Sequence, residues 1–97
     1  MMAKGYVIAR VNVTDPDAYA IYAGLARGAM ERYGARILAR GGRYVGLEGS
    51  ARPRNVILEF DSYDTAMEYW HSEEYQSARA HRLNAAEIEL CVVEGVD

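Results

Sequence analysis

Tyr6-Val7-Ile8-Ala9-Arg10-Val11-Asn12-Val13, followed at once by Thr14-Asp15-Pro16-Asp17, is the stretch on which the fold turns. The first eight residues are rich in β-branched side chains and read as a strand. Val7, Ala9, Val11 and Val13 share one face, and Tyr6, Ile8, Arg10 and Asn12 share the other. The next four open a helix. Asp15 can cap the free amides, Pro16 suits the first helical position, and Asp17 sits at the positive end of the helix dipole. Tyr19, Tyr22, Ala26, Ala29, Met30 and Tyr33 follow at helical spacing and form one stripe. Gly34 is a left-handed stop.

The same logic extends along the chain. Ala35 to Arg40 is a second strand, which Gly41-Gly42 turns or bulges, and Arg43 to Glu48 continues extended. Gly49 to Arg54 is a loop marked by breakers. Asn55 to Phe60 is a third strand. Ser62 caps a helix whose inner stripe includes Ala66, Met67 and Trp70. Ser72 caps again, ahead of Glu73 and Glu74, so the helical region bends near His71 and runs on through Tyr75, Ala78, Arg79 and Arg82. Glu87 to Glu94 is the last strand. The order is βαββαβ. Right-handed crossovers put both helical segments on one face of a four-stranded antiparallel sheet, with the first and third strands central. The expected class is α+β, ferredoxin-like, in a single domain over residues 1–97.

Composition narrows the function. Apolar residues make up 51% of the chain and charged residues 26%, a globular balance that excludes a disordered tail. A net charge of −3 argues against a nucleic-acid binder, which carries a basic surplus on one face. The single cysteine, Cys91, excludes an internal disulfide and a cysteine-based zinc site. No apolar run reaches the ~18 residues of a membrane span, and no signal-peptide core is present. The expected setting is therefore cytoplasmic, with neither membrane nor nucleic acid as partner.

Assigning alternate residues to faces leaves the sheet lopsided. The helix side takes Val7, Ala9, Val11, Ile37, Val56, Leu58, Phe60, Ile88, Leu90 and Val92. The other side takes Tyr6, Ile8, Leu38, Ile57, Cys91 and Val93, with Arg10, Arg40, Glu59 and Glu89 among them. So apolar a face normally marks an interface. A two-fold homodimer packed sheet against sheet is expected, with Arg10 and Glu59 as ion-paired interface residues.

Tyr6-Val7-Ile8-Ala9, Thr14-Asp15-Pro16 with Tyr19 and Tyr22, Arg40-Gly41-Gly42, Leu47-Glu48-Gly49, Val56 to Phe60, Trp70-His71-Ser72-Glu73-Glu74-Tyr75, Arg82 and Val93-Glu94-Gly95 together resemble the DUF1330 family. The match runs in order over nearly the whole chain. That family is similar to the dimeric α/β-barrel superfamily, in which two ferredoxin-like subunits pack their sheets into a barrel. The superfamily includes cofactor-free antibiotic-biosynthesis monooxygenases, haem-degrading enzymes, muconolactone isomerases and chlorite dismutases. DUF1330 itself has no established activity, so the resemblance implies the fold and the dimer and leaves the chemistry open.

Several residues are candidates for that chemistry. Tyr19, Tyr22, Trp70 and Tyr75 line a pocket between helices and sheet or, on the competing view, form an ordinary core stripe. His71, beside Trp70 at the bend, suits a general acid or base, or is a turn residue. Arg10, Arg40 and Glu59 form a charged floor for an acidic substrate, or a structural ion-pair network. In a catalytic reading Tyr22 and Trp70 position substrate, with Tyr19 and Tyr75 beside them. His71 moves a proton, and Arg40 or Arg82 holds negative charge. The reaction would be metal-independent oxygenation or isomerisation of a small aromatic or lactone. The alternative is a non-catalytic ligand-binding or assembly module. No cofactor is expected: Gly41-Gly42-Arg43-Tyr44-Val45-Gly46 lacks the dinucleotide spacing, and His71 and His81 are too isolated for a metal set. The expected ligand is a small aromatic or acidic molecule.

Overall fold

The computed structural model describes residues 3–97. Its elements are β1 (Gly5–Val13), α1 (Pro16–Arg32), β2 (Arg36–Arg40), β3 (Arg54–Phe60), α2 (Tyr63–His71), α3 (Glu73–Ala80) and β4 (Ala86–Glu94). The sheet order is β2-β3-β1-β4, and every neighbouring pair is antiparallel. This is the ferredoxin-like arrangement, with β1 and β3 central. Among the described residues no helix is long and apolar enough to cross a membrane.

Local chemistry sets the helix ends. Asp15 is extended, its carboxylate accepts from the Ala18 amide at 3.3 Å, and Pro16 opens α1. At the far end Gly34 takes φ +71°. That turn lets the Ala35 amide reach the Met30 carbonyl at 2.9 Å and the Gly34 amide reach the Glu31 carbonyl at 3.2 Å, a complete Schellman stop. Ser62 caps α2, its hydroxyl accepting from the Thr65 amide at 3.0 Å. Ser72 works in both directions. Its hydroxyl donates to the Tyr69 carbonyl at 2.7 Å, closing α2, and accepts from the Tyr75 amide at 3.1 Å, opening α3. Ser72 is extended, which produces the bend expected near His71.

The core lies between the helices and one sheet face. Val7, Val11, Leu58 and Phe60 from the sheet meet Tyr22, Ala26, Ala29, Ala66, Tyr69, Tyr75 and Ala78 from the helices. The opposite face carries Tyr6, Ile8 and Arg10 of β1, with Glu59 and Ile57 opposite the first two on β3 and Val93, Cys91 and Glu89 opposite all three on β4.

Three expectations about the sheet need correction. The first concerns β2. Ile37 lies opposite Leu58 and Ala39 opposite Ile57, so Leu38 is an extra residue in a bulge. Every position after the bulge changes face. Arg40, expected on the open face, lies opposite Val56 and belongs to the helix side. Second, Arg43 to Glu48 do not extend β2. The chain from 41 to 53 is irregular, and the groove it forms is lined by Arg10, Tyr44, Leu47, Arg52 and Asn55. Third, Arg10 and Glu59 do not pair within the chain. The register puts Glu59 opposite Tyr6 and Arg10 opposite Asn55 and Glu89. Glu59 is held instead by Arg36 at 2.7 Å, and Glu89 by Arg52 at 2.9 Å.

Candidate functional site

On α1, Tyr19, Tyr22, Ala26 and Ala29 occur at intervals of three and four and face the sheet. Across the gap from them lie Val7, Ala9, Val56, Leu58, Ile88 and Leu90. Ala9, Ala23 and Ala26 are short, and their side chains do not fill the space between helix and sheet. A cavity of about 170 Å³ remains, with Tyr19, Tyr22, Tyr69 and Tyr75 along its wall. Arg27, Arg40 and Arg54, with Met30, complete the lining. Arg27 and Arg40 are exposed, so the cavity meets solvent at their end.

The opposite, inner end is a hydrogen-bonded aromatic cluster. The Tyr22 and Tyr75 hydroxyls are 2.9 Å apart. Arg82, only 4% exposed, donates to the Tyr75 hydroxyl at 3.2 Å and lies 5.3 Å over the Tyr22 ring. A buried guanidinium without a carboxylate is costly unless its donors and its charge are met. Here a hydroxyl and an aromatic face meet part of that need, and the Arg82 Nε remains without a partner. Tyr69 stacks on Tyr75 at 4.8 Å and on Phe60 at 5.0 Å. Burial, reinforced by the neighbouring Tyr75, pushes both the Tyr22 and the Tyr69 phenol above the ordinary tyrosine range. At neutral pH these phenols are protonated, so the wall presents hydroxyls and guanidiniums, both of which donate.

The expected site residues separate into four groups. Tyr19, Tyr22, Tyr75 and Arg40 meet at the cavity wall. Arg40 arrives there only because of the bulge at Leu38. Arg82 lies behind the wall and holds the Tyr75 hydroxyl. Trp70 and His71 are elsewhere. Trp70 is half-buried and stacks on Tyr75 at 5.3 Å from outside the cavity, with Arg79 5.3 Å over its own ring. His71 is exposed at the end of α2 and is not part of the wall. Arg10 and Glu59 are on the opposite sheet face.

Tyr69, Arg54 and Arg27 were not foreseen. Tyr69 lies three residues after Ala66, so the helical spacing that picked out Trp70 fits it equally well. Arg54 lies two residues before Val56 and shares its face, a relation hidden when residue 54 is read as loop. Arg27 carried no signal beyond following Ala26. Among the described residues no three His, Cys, Asp or Glu side chains converge as metal ligands.

With this geometry in place, comparison with known proteins gives consistent results. Residues 4–96 match the model of a family described as Domain of unknown function (DUF1330). No curated protein matches. A solved protein of unknown function from Rhodopseudomonas palustris is 20% identical, with TM-score 0.77 over all of this chain and 85% of that one. A dimeric ferredoxin-like protein of unknown function from Thermobifida fusca is 14% identical, with TM-score 0.56 over 97% and 92%. SnoaB, a cofactor-independent oxygenase from Streptomyces nogalater, is 8% identical, with TM-score 0.61 over 98% and 95%. At these identities the structural likeness establishes the fold.

Proposed function

The chain belongs to the DUF1330 family, and on that premise we propose that it binds a small organic molecule in the tyrosine-lined cavity and acts as a homodimer joined through its open sheet face. The cavity under α1 carries the first part. Ligand sites are concave, largely apolar and furnished with a few convergent polar groups, and this one has four tyrosines and three arginines around an apolar floor. Its volume of about 170 Å³ sets the size of the guest. A dry apolar cavity of about 150 Å³ accepts benzene, so the guest has one ring. The wall is built of tyrosine rather than of tyrosine and tryptophan.

The open face carries the second part. Ile8, Ile57, Cys91 and Val93 form an apolar strip across three strands. The Glu59 and Glu89 carboxylates beside it are already paired within the chain, to Arg36 and Arg52. A second copy meets it without burying an unpaired acid. The dimeric Thermobifida fusca relative supports this reading.

The inner cluster favours a catalytic version of the same site, a cofactor-independent oxygenase or isomerase. Arg82 donates to Tyr75. If Tyr75 in turn donates to Tyr22, the Tyr22 proton is left for an oxygen of the bound ring. A donor fixed in that way stabilises negative charge developing on the substrate. The non-catalytic alternative keeps the same contacts without turnover.

Trp70 is the single tryptophan and stacks on the wall residue Tyr75, so its fluorescence reports on the cavity. Titration with phenol, hydroquinone and benzoate is expected to give saturable changes that Ala23→Leu abolishes by filling the space. Absence of saturation with every ring would overturn the proposal. Turnover that falls in Tyr22→Phe while binding persists would mark an enzyme.

A further inference from the structure

Arg40 and Arg54 stand on the same sheet face at one end of the cavity. Arg40 lies opposite Val56, and Arg54 is two residues away on the same strand. Diagonal neighbours of this kind are ~7–8 Å apart at Cα, within reach of long side chains. Arg27 of α1 borders the same space. Among the described residues none of the three has a carboxylate within 4 Å, although Arg32, Arg36 and Arg52 elsewhere in the chain each do. The cavity lining contains no Asp, Glu or His. Three arginines thus line one cavity that holds no acidic side chain, a setting that suits an anionic guest.

Arg54 is built into this position. Its guanidinium lies 5.5 Å over the Tyr19 ring. Its Nε is buried and has no partner. It also leans on Gly41, where a Cβ would come within 2.6 Å of the guanidinium nitrogen, and Gly41 has φ +67°. Glycine at 41 therefore serves the turn and clears the space Arg54 occupies. The Leu38 bulge supplies the other half by turning Arg40 to the same face.

We infer that the ligand is a single-ring carboxylate, its ring between α1 and the sheet and its carboxylate held by Arg54 and Arg40. The guanidinium fork suits a carboxylate in particular. This rests on the cavity being a ligand site and adds the charge of the guest and the residues that recognise it. The deep Tyr22 hydroxyl then meets the far edge of the ring, so a 4-hydroxy substituent is accommodated.

The test compares benzoate, 4-hydroxybenzoate, benzamide and phenol by calorimetry on the full chain, with Arg54→Gln and Arg40→Gln. The acids are expected to bind at least about tenfold more tightly than benzamide, the factor one charge-assisted hydrogen bond supplies. Each Gln variant is expected to reduce that preference, and the double variant to remove it, with phenol affected less than the acids. Arg40 is exposed, so its variant keeps the fold even if Arg54→Gln does not. Equal binding of benzoate and benzamide, or an acid preference undiminished in both variants, overturns the inference while the cavity reading stands. Absence of binding by all four compounds overturns both.

Discussion

On the helix side of the sheet, Val7, Val11, Leu58 and Phe60 are sealed from water. One residue along the same strands, Ile8 and Ile57 are only half-buried, and Val93 on the neighbouring β4 is exposed. The strands alternate in the same way on both sides. What differs is that both crossovers are right-handed and so cover only one of them. The charges differ as well. On the open side Glu59 and Glu89 find partners in Arg36 and Arg52. On the covered side Arg40 and Arg54 have no acidic partner, and Arg82 is held by tyrosine. On the proposed reading the open face, with Glu59 and Glu89 already paired, meets an apolar partner, and the covered face meets a small anion. Stability should reside in the second surface and association in the first.

The largest effect that would sharpen this contrast is Tyr75→Ala. Tyr75 is 1% exposed and touches Tyr22, Tyr69, Trp70 and Arg82. Its removal is expected to cost about 3–5 kcal/mol, as for other large buried aromatics, read from the urea midpoint. A cost under about 1 kcal/mol, no more than a surface change, would erase the difference between the faces.

Next is Ile57→Asp on the open face. An aspartate buried against a second copy should weaken the dimer at least about a hundredfold, while a single chain stays folded because the side chain faces outward. Sedimentation equilibrium at micromolar concentration should give two chains for the native protein and one for the variant. A native mass of one chain would remove the association half of the comparison.

Tyr22→Phe is milder. It deletes one hydroxyl contact and leaves Arg82 donating to Tyr75, so a loss of about 0.5–1.5 kcal/mol is expected, with weaker binding of hydroxylated rings. Smallest is the acid response of the open face. Hydrogen bonds from Arg36 and then Tyr6 hold the Glu59 carboxyl below the ordinary carboxylate range. Its stabilising contribution is therefore present above the unfolded value of about 4.3 and is lost as pH falls through the lower folded value. Glu59→Gln should flatten that part of the pH–stability curve, and an unchanged curve would show that the pairing is inert.

The legible parts of the molecule were those governed by local rules. Alternation in Tyr6 to Val13, the Asp15-Pro16 start, the Gly34 stop and the Ser72 cap ahead of Glu73 are all short-range chemistry, and each appears as read. The cavity's tyrosines from α1 followed from helical spacing for the same reason. The misplaced features depend on pairing between distant segments. No local signal distinguishes a bulge at Leu38 from one at Gly41-Gly42, yet a shift of one residue moves Arg40 from one face to the other. Likewise the partner of Glu59 depends on register, and Arg36, at the edge of the sheet, reaches it where Arg10 does not. His71, read either as a proton-moving group or as a turn residue, lies exposed at the end of α2 and outside the cavity wall.

The most direct test of the covered face as the working surface is amide shift mapping of the labelled full chain during titration with 4-hydroxybenzoate. The expected result is saturable shifts at Tyr19, Tyr22, Ala26, Arg54 and Tyr75, with Ile8, Ile57 and Val93 unmoved. Shifts that centre on the open-face residues and spare those of α1 would contradict it.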